Sequence, residues 1–369
     1  MSMPTIKSLS LKAANIPLNR IVIGKVGKFE NWAVIVTEIT CSDGTIGKGY
    51  IGPYLANYMP AIASTIKELF KNIEGREIAP YQFYNEVMNS TSLMGRSGIA
   101  MYALAALDIS LWDASSKIAN EPLCVHLGGS IEPVKAYNSC GLWLDNNKDE
   151  SFEEAQKLME RGGFDILKIR LGRTDIDEDL YAIESVKKAL GKENILLCDF
   201  NQGYNLPDAI HFLNALDDKE LYWFEEPIDY YNYDGYKELR NRMKTPIILG
   251  ENFHGPDDAF QAMDKKICDF IMPDLMRICG VSGWMQTASI AAAYRIKMSS
   301  HLFPEVSAQL MRVTPTAHLC EWTDWAELMI AEPYKLKDGN VILPDVPGTG
   351  IDFKAVSYTH LTLPTICSV

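Results

Sequence analysis

From about residue 134 onward, short apolar runs alternate with stretches of helical periodicity. The runs fall at residues 134–137, 166–169, 195–198, 222–224, 247–249, 270–272 and 297–299. Between them, apolar positions recur at three- and four-residue spacing over residues 153–161, 179–190, 207–216, 236–243, 256–263 and 283–294. A run too short for a helix followed by an amphipathic stretch is a strand–helix unit, and its repetition implies a parallel sheet. Seven or so such units in about 200 residues predict a TIM-type barrel rather than an open doubly wound sheet. No glycine-rich phosphate loop opens any of the helices, which argues against dinucleotide binding.

The first third reads differently. Residues 32–40 and 47–51 alternate as strands, with the Asp43-Gly44 turn between them. Helical patterns follow at 58–71, 81–88 and 99–117. The last is Ala-rich and apolar on much of its circumference, so it is expected to be buried.

Chemistry concentrates at the ends of the barrel strands, which in such a fold face the active-site mouth. Asp199, Glu225 and Glu251 each close one of three successive runs. They are expected to converge, and three converging carboxylates repel one another unless a cation neutralises them. Hard oxygen ligands that leave room for water and substrate suit Mg²⁺, with Mn²⁺ as an alternative. Lys168 and Arg170, two apart on the second strand, share a face. Asp274 and His301 end the sixth and seventh strands. A carboxylate beside an imidazole orients it and raises its basicity, which makes a general base. An acid cluster with a cation and one such base fits abstraction of the α-proton of a carboxylate, where charge develops on both carboxylate oxygens.

Composition narrows the partners. The 369 residues are 47% hydrophobic and 22% charged, ample for a large core, and carry a formal net charge of -13. That balance argues against nucleic acid and anionic membrane surfaces, though not against a small anionic substrate at a local metal. The eight cysteines form no CxxC pair, and a reducing cytoplasm is expected. The N-terminus lacks a basic segment followed by an apolar one, so no signal peptide is expected. Residues 356–369 break the periodicity and resemble the translation of a sequencing adaptor; they are expected to be an artefact.

The runs IPL (16–18), FEEP (224–227), GENF (250–253), MSSHLF (298–303), PTAH (315–318) and PDVPGTG (344–350) resemble the mandelate racemase subgroup of the enolase superfamily. The resemblance extends from about residue 16 to 353. It implies an α/β fold: a modified TIM barrel of the (β/α)7β type with an α+β N-terminal capping domain. The expected division is cap 1–125, barrel 126–330 and a segment 331–355 returning to the cap. Asp199, Glu225 and Glu251 would be the metal ligands, with Asn201 and Glu226 beside them. Lys168 would pair with the substrate carboxylate, and Ser139 would touch that carboxylate or a metal-bound water. Asp274–His301 would be the base on one face, and Glu321 would hydrogen-bond the carboxylate as it becomes an enolate. Val22, Gly24, Val26, Phe29 and Tyr54 would close over the substrate. A homo-oligomer is also implied.

One position departs from the pattern. The family has Lys-x-Lys where this chain has Lys168-Ile-Arg170. A guanidinium with a pKa above about 12 is a poor base. Apolar Val22, Val26, Phe29 and Leu302, with Tyr54, favour a 2-hydroxy-acid racemase; Arg170 favours the alternative, an acid-sugar dehydratase yielding a 2-keto-3-deoxy acid.

Overall fold

The computed structural model describes residues 3–354, so the tail 356–369 lies outside the described residues. The chain opens with an antiparallel sheet of β1 (Ile6–Gly24), β2 (Gly27–Cys41) and β3 (Ile46–Ile51), in that order. β1 is longer than anything the pattern suggested. Its alternation is interrupted by a register shift between Pro17 and Val22, which hides a 19-residue strand from a period-two reading. The β1–β2 hairpin pairs Val22 with Phe29 and turns between Gly24 and Gly27. The Asp43-Gly44 turn is present, its Asp43 carboxylate accepting from the Thr45 amide at 2.9 Å.

Helices α1 (Met59–Phe70), α2 (Pro80–Ser90) and α3 (Ile99–Ile118) complete this unit. α3 is buried nearly all round, as its composition requires. It lies so close to β3 that a Cβ on Gly47 would stand 2.1 Å from the Ser110 carbonyl oxygen, so no larger residue fits there.

A short α4 (Leu123–His126) leads to the barrel. Its parallel strands are β4 (Val134–Asn138), β5 (Ile166–Arg170), β6 (Ile195–Asp199), β7 (Phe224–Glu225), β8 (Ile247–Leu249), β9 (Phe270–Ile271), β10 (Lys297–Met298) and β11 (Cys320–Trp322). Between them run α5 (Lys148–Glu160), α6 (Ile176–Leu190), α7 (Leu206–Leu216), α8 (Tyr233–Arg242), α9 (Pro256–Asp264), α10 (Gly280–Tyr294) and α11 (Pro304–Met311). Local chemistry sets their starts. Asn147 and Glu150 form a capping box on α5, and Asp175 caps α6, whose first turn adds three acids against its dipole.

β11 pairs with β4 and closes the ring. Among the described residues no helix follows β11, which makes the barrel (β/α)7β. Instead β12 (Lys335–Lys337) and β13 (Asn340–Ile342) form a hairpin whose second strand lies antiparallel on β4. The chain then returns to the first unit: the Thr349 amide donates to Asp113 on α3 at 2.7 Å, and Phe353 packs edge-on against Tyr50. We propose the cap, barrel and return segment as the domain organisation. Among the described residues, no helix is long and apolar enough to cross a membrane.

Strand alternation fills the barrel in layers. Ile166, Leu197, Trp223, Ile248 and Met272 pack together inside. Two residues further along β5, β6 and β7, the same inward direction belongs to Lys168, Asp199 and Glu225.

Candidate active site

Parallel register lifts the charged layer to the barrel mouth. Arg170 on β5 pairs with Asp199 on β6, and Asp199 pairs with Glu225 on β7. Glu251 follows β8 by two residues, after Gly250 at φ 138° turns the chain. One carboxylate oxygen from each of Asp199, Glu225 and Glu251 lies within 4.8 Å of the other two. Asp199 and Glu225 are buried; Glu251 is partly exposed. Burial, with Asp199, Glu251 and Glu321 nearby, pushes the Glu225 carboxyl well above the usual range, against the pull of Lys168. Its Oε2 is buried with no hydrogen-bond partner. An orphaned buried oxygen among three hard anionic donors fits a small divalent cation.

Lys168 is 1% exposed, and its Nζ stands 2.9 Å from Glu225, 2.8 Å from Glu321 and 3.4 Å from Asp199. Burial opposes its charge, but Glu225, Glu321 and Asp199 outweigh that and raise its pKa. Glu321, on β11, also accepts from the Leu302 amide at 2.8 Å. Against the cost of burial, Lys168 and His301 hold its carboxyl well below the usual range.

Asp274 and His301 meet through a parallel bridge beyond β9 and β10. Asp274 Oδ2 is 2.8 Å from His301 Nδ1, while Oδ1 accepts the Met276 and Arg277 amides at 2.9 and 3.0 Å. The carboxylate is thus held on both oxygens, and the imidazole is presented with Nε2 toward the acids, 3.1 Å from Glu251. Burial opposes the imidazolium, but Glu251, the Asp274 hydrogen bond and Glu321 together raise its pKa.

A cavity of about 530 Å³ opens above these groups. Lys168, Arg170, Asp199, Asn201, Glu251, His301 and Glu321 line it from the barrel, and Val22, Gly24, Val26, Phe29 and Tyr54 from the cap, with Leu302 at the side. Asn201, at φ 44°, donates to Asp199 Oδ2 at 3.0 Å. Glu226 faces elsewhere, accepting from Asn252 at 2.6 Å; burial, with Glu251 nearby, pushes its pKa to about 8.

Ser139 departs from the contact the resemblance implies. It is fully buried and does not line the cavity, because the Arg170 guanidinium occupies it: Nη2 donates to its Oγ at 2.7 Å and Nη1 to its carbonyl at 3.0 Å. Arg277, three residues past Asp274, was not singled out by the sequence pattern. It lines the cavity, donates to the Glu251 carbonyl at 2.8 Å and lies over the Tyr54 ring at 5.4 Å. Its place in a strand-end loop beside an acid was the available signal.

Family models match both the cap and the barrel of this chain. Residues 12–128 match the family described as mandelate racemase / muconate lactonizing enzyme, N-terminal domain, and residues 150–357 match the family described as enolase C-terminal domain-like. An enolase from alpha proteobacterium BAL199, solved with bound magnesium, is 41% identical with a TM-score of 0.93, covering 95% of this chain and 98% of that one. An enolase from Bradyrhizobium complexed with magnesium and mandelic acid is 30% identical with a TM-score of 0.91, covering 96% and 97%. The L-talarate/galactarate dehydratase of Salmonella typhimurium is 28% identical over 346 residues, 93% of this chain and 86% of that protein.

Proposed function

This chain belongs to the mandelate racemase subgroup of the enolase superfamily, and from that premise we propose that it is a Mg²⁺-dependent acid-sugar dehydratase. Relatives named as acid-sugar dehydratases support this reading over the racemase that the apolar cap suggested. The observation that carries it is the pairing of one base with one fixed guanidinium. His301 is oriented for proton transfer. On the β5 side, Arg170 is tied to Ser139 and the Gly141 carbonyl and stacked 4.0 Å over Trp143. A guanidinium keeps its proton, so two-base racemisation lacks its second base. β-Elimination needs only one.

In this reading Asp199, Glu225 and Glu251 hold the metal. When bound, it supplies positive charge to the carboxylate oxygens as the α-carbon loses its proton. Lys168 donates to the same carboxylate, and Glu321 hydrogen-bonds it as negative charge develops. His301 Nε2 takes the proton from C2 while Asp274 holds the ring. The C3–O bond breaks and its electron pair leaves with the oxygen. His301 returns its proton to that oxygen, and water departs from the same face. The C2–C3 enol that remains tautomerises to a 2-keto-3-deoxy acid.

The test is incubation with Mg²⁺ and a panel of four- to six-carbon acid sugars, with ¹H NMR as readout. A 2-keto-3-deoxy product that disappears in His301→Asn supports the proposal; a panel left unchanged contradicts it. A second reading, a 2-hydroxy-acid racemase, is favoured by the exposed apolar side chain of Val26 at the cavity rim and by the relative bound to mandelic acid. Inversion of either mandelate enantiomer would establish it.

A further inference from the structure

The Arg170 side chain is 6% exposed, yet one of its three nitrogens has no hydrogen-bond partner. Nη1 donates to the Ser139 and Gly141 carbonyls at 3.0 and 3.2 Å, and Nη2 to Ser139 Oγ at 2.7 Å. The plane is stacked on Trp143. Nε is buried with no hydrogen-bond partner. It stands 3.9 Å from Asp199 Oδ2, too far for a hydrogen bond, in a residue that lines the cavity. These three bonds hold the guanidinium in place with Nε unpaired, and an unmet buried donor is costly unless something else meets it.

We infer that Arg170 Nε–H reads a substrate hydroxyl, accepting oxygen first, on the side of the site away from His301. The chemistry of the gap selects that group. One side offers a fixed cationic donor and the other an acceptor-only carboxylate. A hydroxyl answers both, accepting from Nε–H and donating to Asp199. A substrate carboxylate would satisfy Arg170 but face Asp199 as a like charge. An aryl or methylene group would leave Nε orphaned. Around the ring of eight, β5, which carries Arg170, stands three strands from β10, which leads to His301, so the reader and the base approach the substrate from different sides.

The inference rests on the dehydratase reading and deepens it. The preferred substrates are polyhydroxy acids, and Arg170 is the position that rejects their deoxy counterparts. A site built to hydrogen-bond a hydroxyl discriminates strongly against the analogue that lacks it, because its own buried group is then left unpaired.

The experiment is isothermal titration calorimetry with Mg²⁺ present, on the full chain. The probes are D-gluconate, galactarate and tartrate, paired with hexanoate, adipate and succinate. We expect at least one hydroxylated member to bind about 100-fold more tightly than its partner. That preference should collapse to under about tenfold in Arg170→Met. Arg170→Lys, which keeps the charge and lacks Nε, should show the same collapse with the fold retained by circular dichroism. The inference is overturned if both variants keep the wild-type preference, or if wild type shows no preference in any pair. The dehydratase reading has its own failure, no keto-acid product, and wild-type turnover decides that independently of how the Arg170 variants bind.

Discussion

At the scale of single residues, function depends on how completely each reactive group is held. His301 has Nδ1 committed to Asp274, whose other oxygen is committed to two backbone amides. Only Nε2 is left for the substrate. We expect His301→Asn to lower turnover by at least about 10³-fold, and Asp274→Asn by about 10²- to 10⁴-fold through loss of tautomer and orientation, both measured by steady-state kinetics at saturating Mg²⁺. Turnover unchanged in either variant would remove the dyad from the mechanism. Asp199, Glu225 and Lys168 are legible in the amino-acid sequence because each stands in or at the end of a short apolar run, and His301 because it follows the run at 297–299. Glu321 is not legible from pattern. Its strand is three residues long and leads into no described helix, so only the family resemblance identifies it. The attachment of Ser139 to Arg170 is equally hidden, since strand register does not report which way a guanidinium fork turns.

At the scale of elements, the β1–β2 hairpin is the part of the cap that meets the metal-ligand layer. A Cβ on Gly24 would lie 2.7 Å from Asn201 Oδ1, the side chain that donates through its amide to Asp199. Gly24→Ala should therefore displace Asn201 and the hairpin tip. We expect kcat/KM to fall about tenfold with little change in Tm, as one positioning contact is lost while the core is untouched. A matching loss of Tm would place the effect in folding instead. Helices and long apolar runs are readable in place to within a few residues. The strands that are missed or shifted have two causes: β1 changes register midway, while β7 is two residues long and β11, β12 and β13 three, so their pairing rather than their composition defines them.

At the scale of the whole molecule, cap and barrel are joined by buried polar contacts. One is Tyr50 on β3 donating to Glu305 Oε2 on α11 at 2.5 Å. Glu305 Oε1 has no partner, and burial pushes this carboxyl up to about 7. A carboxyl whose folded pKa is raised favours the fold while protonated. Its contribution is complete below the unfolded value near 4.3 and is lost as pH rises through about 7. Thermal melts should show Glu305→Gln gaining on wild type across that window, by roughly 2–3 kcal/mol at the upper end; parallel curves would contradict it. Magnesium at 100 times its Kd should stabilise the protein by about 2.7 kcal/mol, and Glu225→Gln should abolish the shift. The central claim is that one imidazole, opposite a guanidinium that cannot act as a base, works on one face of the substrate. Deuterium uptake at C2 of C2-epimeric acid sugars in D₂O with Mg²⁺, followed by NMR, tests it most directly. We expect uptake or elimination from one C2 configuration only, absent in His301→Asn. Comparable exchange from both epimers, or exchange that survives in His301→Asn, would contradict it.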